Sequence, residues 1–223
     1  MNFFINSIRY GEMLSESIIN ESRFKSLTHY CAVPYFNTII AQKDAILFET
    51  TLKNGTLGIT EADELGVSIA LHKNIENENR KYFTLAHEIG HVLMHVSATK
   101  TQVSFLENDF TLSWEEDMKK DIRETEANVF AAHLLLPDRV LKNQLLSCMN
   151  PYHIKRISKV SIEFIKWRIV NFLKKYYMFD EITSIRIAEN YIITTKNKDV
   201  ANTYLYNLLK GDFNIYPLKR YLY

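Results

Sequence analysis

Apolar residues along this chain recur mainly at helical spacing, interrupted by short stretches that alternate. Over residues 7–30, Ile8, Leu14, Ile18, Ile19 and Leu27 repeat at roughly that spacing among Glu, Ser and Arg. Pro34 ends this region, and a turn or short helix follows at 35–43. Residues 45–51 are β-branched and aromatic enough for a strand, and Lys53-Asn54-Gly55 is a turn signal. Residues 66–72 alternate, with Val67, Ile69 and Leu71 on one side, and predict a second strand. After a polar loop at 74–80, a strongly apolar helix runs from about residue 81. Residues 97–120 are polar and irregular, which fits a loop or a short helix. A second strong helix begins at Asp121 and is closed by Pro137. Helical patterns at 138–149 and 154–177 flank the Asn150-Pro151 break. Residues 184–195 look like a strand and 199–210 like a short helix, ahead of a tyrosine-rich tail. These elements give an α+β class.

The helix from residue 81 carries His87-Glu88-x-x-His91. Residues four apart on an α-helix lie nearly above one another, about 5–6 Å apart at Cβ, so two imidazoles can reach one metal ion from a single face. Each then bonds at about 2.0–2.1 Å to zinc. Glu88 is turned off that face by one residue and can reach a water beside the ion without binding the ion. With 7 histidines in 223 residues, an accidental match is expected in roughly one or two per hundred such chains. The buried-type helix around the motif raises its weight.

Catalytic zinc normally takes three protein ligands. His95 lies four beyond His91 but about 12 Å along the axis from His87, so the three histidines cannot share one ion. It reads as a core residue or a support for a ligand. The helix from Asp121 offers carboxylates. Its apolar face, drawn through Ile122, Val129, Phe130 and Leu134, includes Glu126 and turns Glu124 outward. A carboxylate on a buried face needs a strong partner. Zinc is one and an internal arginine is another, and the upstream motif favours Glu126 as the third ligand. His133 reads as packing. The acidic run Glu115, Glu116, Asp117 and Asp121 reads as a solvated face.

Composition narrows the setting. The chain carries 27 basic and 26 acidic residues, a net charge of +1, so no global pull toward nucleic acid or anionic membrane is implied. No apolar run approaches the roughly 20 residues that span a bilayer. The first nine residues lack the pattern of a signal peptide, and a cytoplasmic protein is expected. Cys31 and Cys148 form no metal or redox spacing and read as buried thiols.

The stretch from Phe83 through His91 to His95 resembles the ImmA/IrrE-type metallo-endopeptidases of bacteria and their mobile elements. So does Glu124-x-Glu126-Ala127-Asn128-x-Phe130-Ala131-Ala132-x-Leu134-Leu135-Leu136-Pro137. The resemblance covers about residues 35–140, and the strand at 67–71 sits where the family places its edge strand. It implies a zincin-like, gluzincin-type core with a small, mostly antiparallel sheet packed on helices. The metallopeptidase domain would occupy 1–178, with a helix-turn-helix-like segment at about 150–177. A C-terminal extension of unknown role follows at 179–223. It also implies His87, His91 and Glu126 as Zn2+ ligands and Glu88 as general base. The implied partner is a helix-turn-helix repressor, cleaved to relieve repression of a mobile-element or stress operon. His72, Tyr82, His153 and several downstream tyrosines are candidates for a further oxyanion donor. Two other readings stand beside this one. The first is a zinc-fold regulator that binds a repressor without cutting it. The second is a DNA-binding protein using Lys155, Arg156, Lys159, Lys166 and Arg168, against which the near-zero net charge argues.

Overall fold

The computed structural model describes residues 4–22, 26–96, 103–107, 122–194 and 200–211. They fall into two compact units, one drawn from Met1–Arg23 and Cys31–Pro137, the other from Phe24–Tyr30 and Asp138–Tyr223. The longer segments of the two units meet after Pro137.

The first unit holds α1 (Ile5–Glu21), α2 (Phe36–Ala41), β1 (Ala45–Thr50), β2 (Gly58–Asp63), β3 (Gly66–His72), α3 (Glu78–Met94), β4 (Val103–Glu107) and α4 (Ile122–Leu135). The four strands form one sheet in the order β1-β3-β2-β4. β1 pairs parallel to β3, while β3 with β2 and β2 with β4 are antiparallel. The sheet is therefore mostly antiparallel, as expected. β3 lies inside it, not at an edge, and β4 falls in a stretch that reads as loop or helix.

β2 went unpredicted because its inward positions are not apolar. Gly58 and Thr60 are the buried residues, and the strand pattern is apolar only weakly. The inward face of α1 is likewise Ser7, Gly11, Ser15 and Ile18, a mostly small-residue stripe that lets it lie close on α4.

α3 begins at Asn77, whose Oδ1 accepts hydrogen bonds from the Asn79 and Arg80 N–H groups at 3.0 and 3.3 Å. This satisfies two of the N–H groups that a helix start leaves without partners. Every residue from Phe83 to Val92 is buried. A helix covered on all sides belongs inside a core, and α3 runs between α4, α2 and the β2–β3 part of the sheet.

The second unit is helical: a 3-10 turn (Leu27–His29), α5 (Asp138–Leu146), α6 (Pro151–Ser158), α7 (Ile162–Tyr177), α8 (Glu181–Thr194) and α9 (Tyr204–Lys210). α6 and α7 meet at Lys159, which has φ of 57°, and Ser161 caps α7 through the Phe164 N–H. Residues 184–194 are helix, not strand. Their many isoleucines mimic a strand, but Asp180 caps the helix start through the Thr183 N–H at 2.9 Å. The buried positions Ser184, Ile187, Ala188 and Tyr191 follow the 3.6 period. Packing against α7 decides the outcome. Asp138, 6% exposed, accepts from Arg168 at 2.7 Å, Lys175 at 2.7 Å and Tyr176 at 3.0 Å. Cys31 is part-exposed and Cys148 exposed, so neither is the buried thiol expected. No helix among the described residues is long and apolar enough to cross a membrane. The aromatic tail at Phe213, Tyr216, Tyr221 and Tyr223, and the acidic run at 115–121, lie outside the described residues.

Candidate metal centre

α3 and α4 approach closely where α3 carries Gly90. A Cβ there would sit 2.9 Å from Phe130 Cδ1 and 3.4 Å from Ala127 Cα. This contact sets the rotation of α4 about its own axis. Glu124, three residues before Ala127, lies on nearly the same stripe and is directed at the HExxH helix.

The side chains converge accordingly. His87 Nε2 and His91 Nε2 are 2.9 Å apart. Glu124 places Oε2 3.2 Å from His87 Nε2 and Oε1 3.4 Å from His91 Nε2. A tetrahedral ion bonded at about 2.0–2.1 Å holds its ligand atoms roughly 3.3 Å apart. The two carboxylate–imidazole separations match that spacing, and the imidazole–imidazole one is shorter by about 0.4 Å. Both histidines are buried, and the Glu124 side chain is 26% exposed.

Protonation fits the same picture. His87 Nδ1 lies 2.8 Å from Asn128 Oδ1. An amide oxygen only accepts, so Nδ1 carries the hydrogen and Nε2 keeps its lone pair for the cluster. His91 is held down to about pKa 3, first by burial and further by the neighbouring His87 and His95, against the raising pull of Glu124. It is neutral at pH 7. Burial pushes the Glu124 carboxyl up, but hydrogen bonding and charge from His87 and His91 outweigh it and bring the carboxyl to about 2. The neutral His91 ring, His87 with its Nδ1 committed to Asn128, and the Glu124 carboxylate thus face one another, a donor set suited to a divalent cation.

Glu88 is fully buried and turned toward β2, one residue's rotation from the histidine face. Thr60 Oγ1 donates to its Oε2 at 2.5 Å. A Cβ on Gly58 would come within 2.3 Å of its Oε1 and 2.8 Å of Thr84 Cγ2. β2 is therefore shaped around this carboxylate, which accounts for the small and polar residues on its inward face.

The structure brings His87, His91 and Glu124 together, and Glu126 does not join them. Glu126 Oε2 instead lies 3.1 Å from His95 Nε2. The expectation of Glu126 rests on an apolar face drawn through Ile122, yet Ile122 is 52% exposed. From Val129 onward α4 is buried on every side, so its apolar residues give no direction. The available signal was the small residues Gly90 and Ala127, which mark the seam between the helices. His95 stays away from the three-residue cluster, as the helical rise requires. His133 Nδ1 is bonded to Glu12 at 2.7 Å. Of the oxyanion candidates, His72 Nδ1 accepts from the Asn74 N–H at 3.0 Å, Tyr82 is part-exposed and His153 is exposed.

An HExxH helix, a carboxylate supplied by a second helix and a sheet strand behind the motif glutamate define the layout of an HExxH-type metallopeptidase domain. The model of the IrrE N-terminal-like domain, peptidase family M78, matches residues 46–170, more than half of the chain. The chain belongs to that family. No curated protein matches it.

Proposed function

We propose that this protein is a zinc-dependent endopeptidase acting on a protein substrate, with His87, His91 and Glu124 as metal ligands and Glu88 as general base. The observation that carries the reading is the convergence of two imidazole Nε2 atoms and a carboxylate at 2.9–3.4 Å. Membership of a peptidase family supports it. Zinc bound there supplies Lewis acidity, which acidifies water and polarises a carbonyl. Glu88 accepts the proton of the attacking water and delivers it to the leaving amine. Thr60 and Gly58 hold that carboxylate in one place between the two transfers. The asymmetry of the sheet suits an extended substrate. β4 is the end strand on the β2 side, and among the described residues its outer edge pairs with no strand. A peptide there gains backbone hydrogen bonds as an added strand.

The substrate we favour is a helix-turn-helix repressor whose cleavage relieves repression of a mobile-element or stress operon. This follows from the family resemblance of the two motif stretches. Direct DNA binding is disfavoured by the α6–α7 pair itself. Lys166 is paired with Glu163 at 2.7 Å, and Arg168 is buried on Asp138. That withdraws two of the five cations such a surface would use. The test is Glu88→Gln incubated with the repressor-like protein encoded nearest to it, with and without a chelator. Full zinc content with cleavage reduced at least about 100-fold is expected. Undiminished cleavage by the variant, or by chelated protein, would overturn the reading.

A further inference from the structure

His95 is the cap residue of α3, its backbone N–H bonded to His91 O at 2.9 Å. Its ring lies beside that of His91, with centroids 4.9 Å apart and planes at 57°. The two Nδ1 atoms are 2.9 Å apart, and on the far side His95 Nε2 is 3.1 Å from Glu126 Oε2. The His95 side chain is 7% exposed and that of His91 is fully buried. A continuous chain therefore runs from Glu126 through two imidazoles to the metal centre.

Its proton positions follow from donor and acceptor rules. A carboxylate at neutral pH only accepts, so His95 Nε2 carries a hydrogen. At most one hydrogen lies between the two Nδ1 atoms at 2.9 Å, so one ring donates there and the other accepts. A neutral imidazole has one N–H, so His95 Nδ1 is an acceptor. The hydrogen between the rings then belongs to His91 Nδ1, and His91 Nε2 is left with its lone pair toward His87 and Glu124. The opposite tautomer of His91 would leave no hydrogen between the two Nδ1 atoms and put a proton where a metal ion should bond, whereas in the relay tautomer the facing Nε2 lone pairs of His87 and His91 are the ones a metal ion would take.

We propose that Glu126 and His95 form a positioning relay that fixes the tautomer and orientation of His91, so that its Nε2 is pre-set to bind a divalent metal ion. The inference rests on the metallopeptidase reading. It gives α4 three tasks: Glu124 binds the metal, Asn128 orients His87 directly, and Glu126 orients His91 through His95. Glu126 cannot reach His91 itself, because that ring sits one turn back along α3. His95, at the helix end, spans the gap. Outer partners of this kind typically change metal affinity about 10–100-fold.

The experiment is a zinc competition titration against a chromophoric chelator on the full chain, with folding followed by circular dichroism. Glu126→Leu and His95→Phe are expected to weaken zinc about 10–100-fold while leaving a folded protein. His95→Gln is expected to recover most of the loss, since its amide oxygen accepts from His91 and its NH2 donates to Glu126. Glu124→Gln should lose far more zinc than any of these. His95→Phe with parental affinity would overturn the relay, as would a Glu126→Leu protein stripped of zinc beside a Glu124→Gln protein that keeps it. Should the variants misfold, imidazole nitrogen NMR on the metal-free parent decides. The Nδ1–H tautomer of His91 supports the relay and the Nε2–H tautomer overturns it. Failure of the parent to bind stoichiometric zinc would instead overturn the metallopeptidase reading, and the tautomer measurement keeps the two failures apart.

Discussion

Glu88 is held by contacts that come from a strand rather than from its own helix. Thr60 fixes one carboxylate oxygen, and the missing side chain of Gly58 makes room for the other. A group that must take up and release a proton at one spot loses rate steeply when displaced, about 100-fold for 1 Å. Gly58→Ala would place its Cβ 2.3 Å from Glu88 Oε1. Gly58 opens β2 but is paired on both sides, with Leu71 of β3 and Glu107 of β4, so the strand is held and the carboxylate must move. We expect cleavage to fall by about 100-fold, with zinc content unchanged because none of the three proposed ligands touches Gly58. Measuring kcat/KM beside metal analysis checks this, and a parallel loss of zinc would contradict it.

Between elements, the seam of α3 and α4 decides which residues meet. Gly90 and Ala127 bring the helices close enough for a carboxylate on one to reach imidazoles on the other. Phe130 fills the space that a longer residue at Gly90 would need. Gly90→Ala drives a methyl group to 2.9 Å from the buried Phe130 ring. Overpacking of this kind costs about 1–3 kcal/mol, readable as a lower urea midpoint. Because the same seam aims Glu124, zinc affinity should fall together with stability. Phe130→Leu added to Gly90→Ala should restore part of both. Stability that fell while zinc affinity stayed constant would show that the seam does not aim the ligand.

Among the described residues of the whole molecule, each unit holds a buried polar cluster. In the first unit it forms the candidate metal centre. In the second, Asp138 gathers Arg168, Lys175 and Tyr176, and Arg168 is only 2% exposed. Burial opposes the charge on Lys175, but Asp138 outweighs it and raises the lysine pKa. Removing one member of a buried pair leaves a charge without compensation, typically at a cost of about 3–5 kcal/mol. Asp138→Ala should therefore lower unfolding stability by about that much. Double replacement of Asp138 and Arg168 by apolar residues should cost less than the single change. Urea denaturation of both variants measures the difference.

The sequence by itself determined whatever depends on local backbone geometry. His87 and His91 face one way because four residues make about one helical turn, and His95 is kept from His87 by the helical rise. The break at Asn150-Pro151 is equally local, whereas α3 starts at Glu78, inside the stretch that reads as loop. Both matching stretches were also visible, so the family was legible before any fold. Tertiary structure alone decided which carboxylate joins the histidines. Glu124 and Glu126 stand on one helix whose far half is buried all round, so the apolar pattern carries no rotation. The Gly90–Ala127 contact supplies it. It likewise decided β2, whose inward residues are chosen to fit Glu88 rather than to be apolar. Burial of Ser184, Ile187, Ala188 and Tyr191 settled α8, whose isoleucines suit a strand equally well. In each case the deciding contact lies far away in sequence, where periodicity has no information.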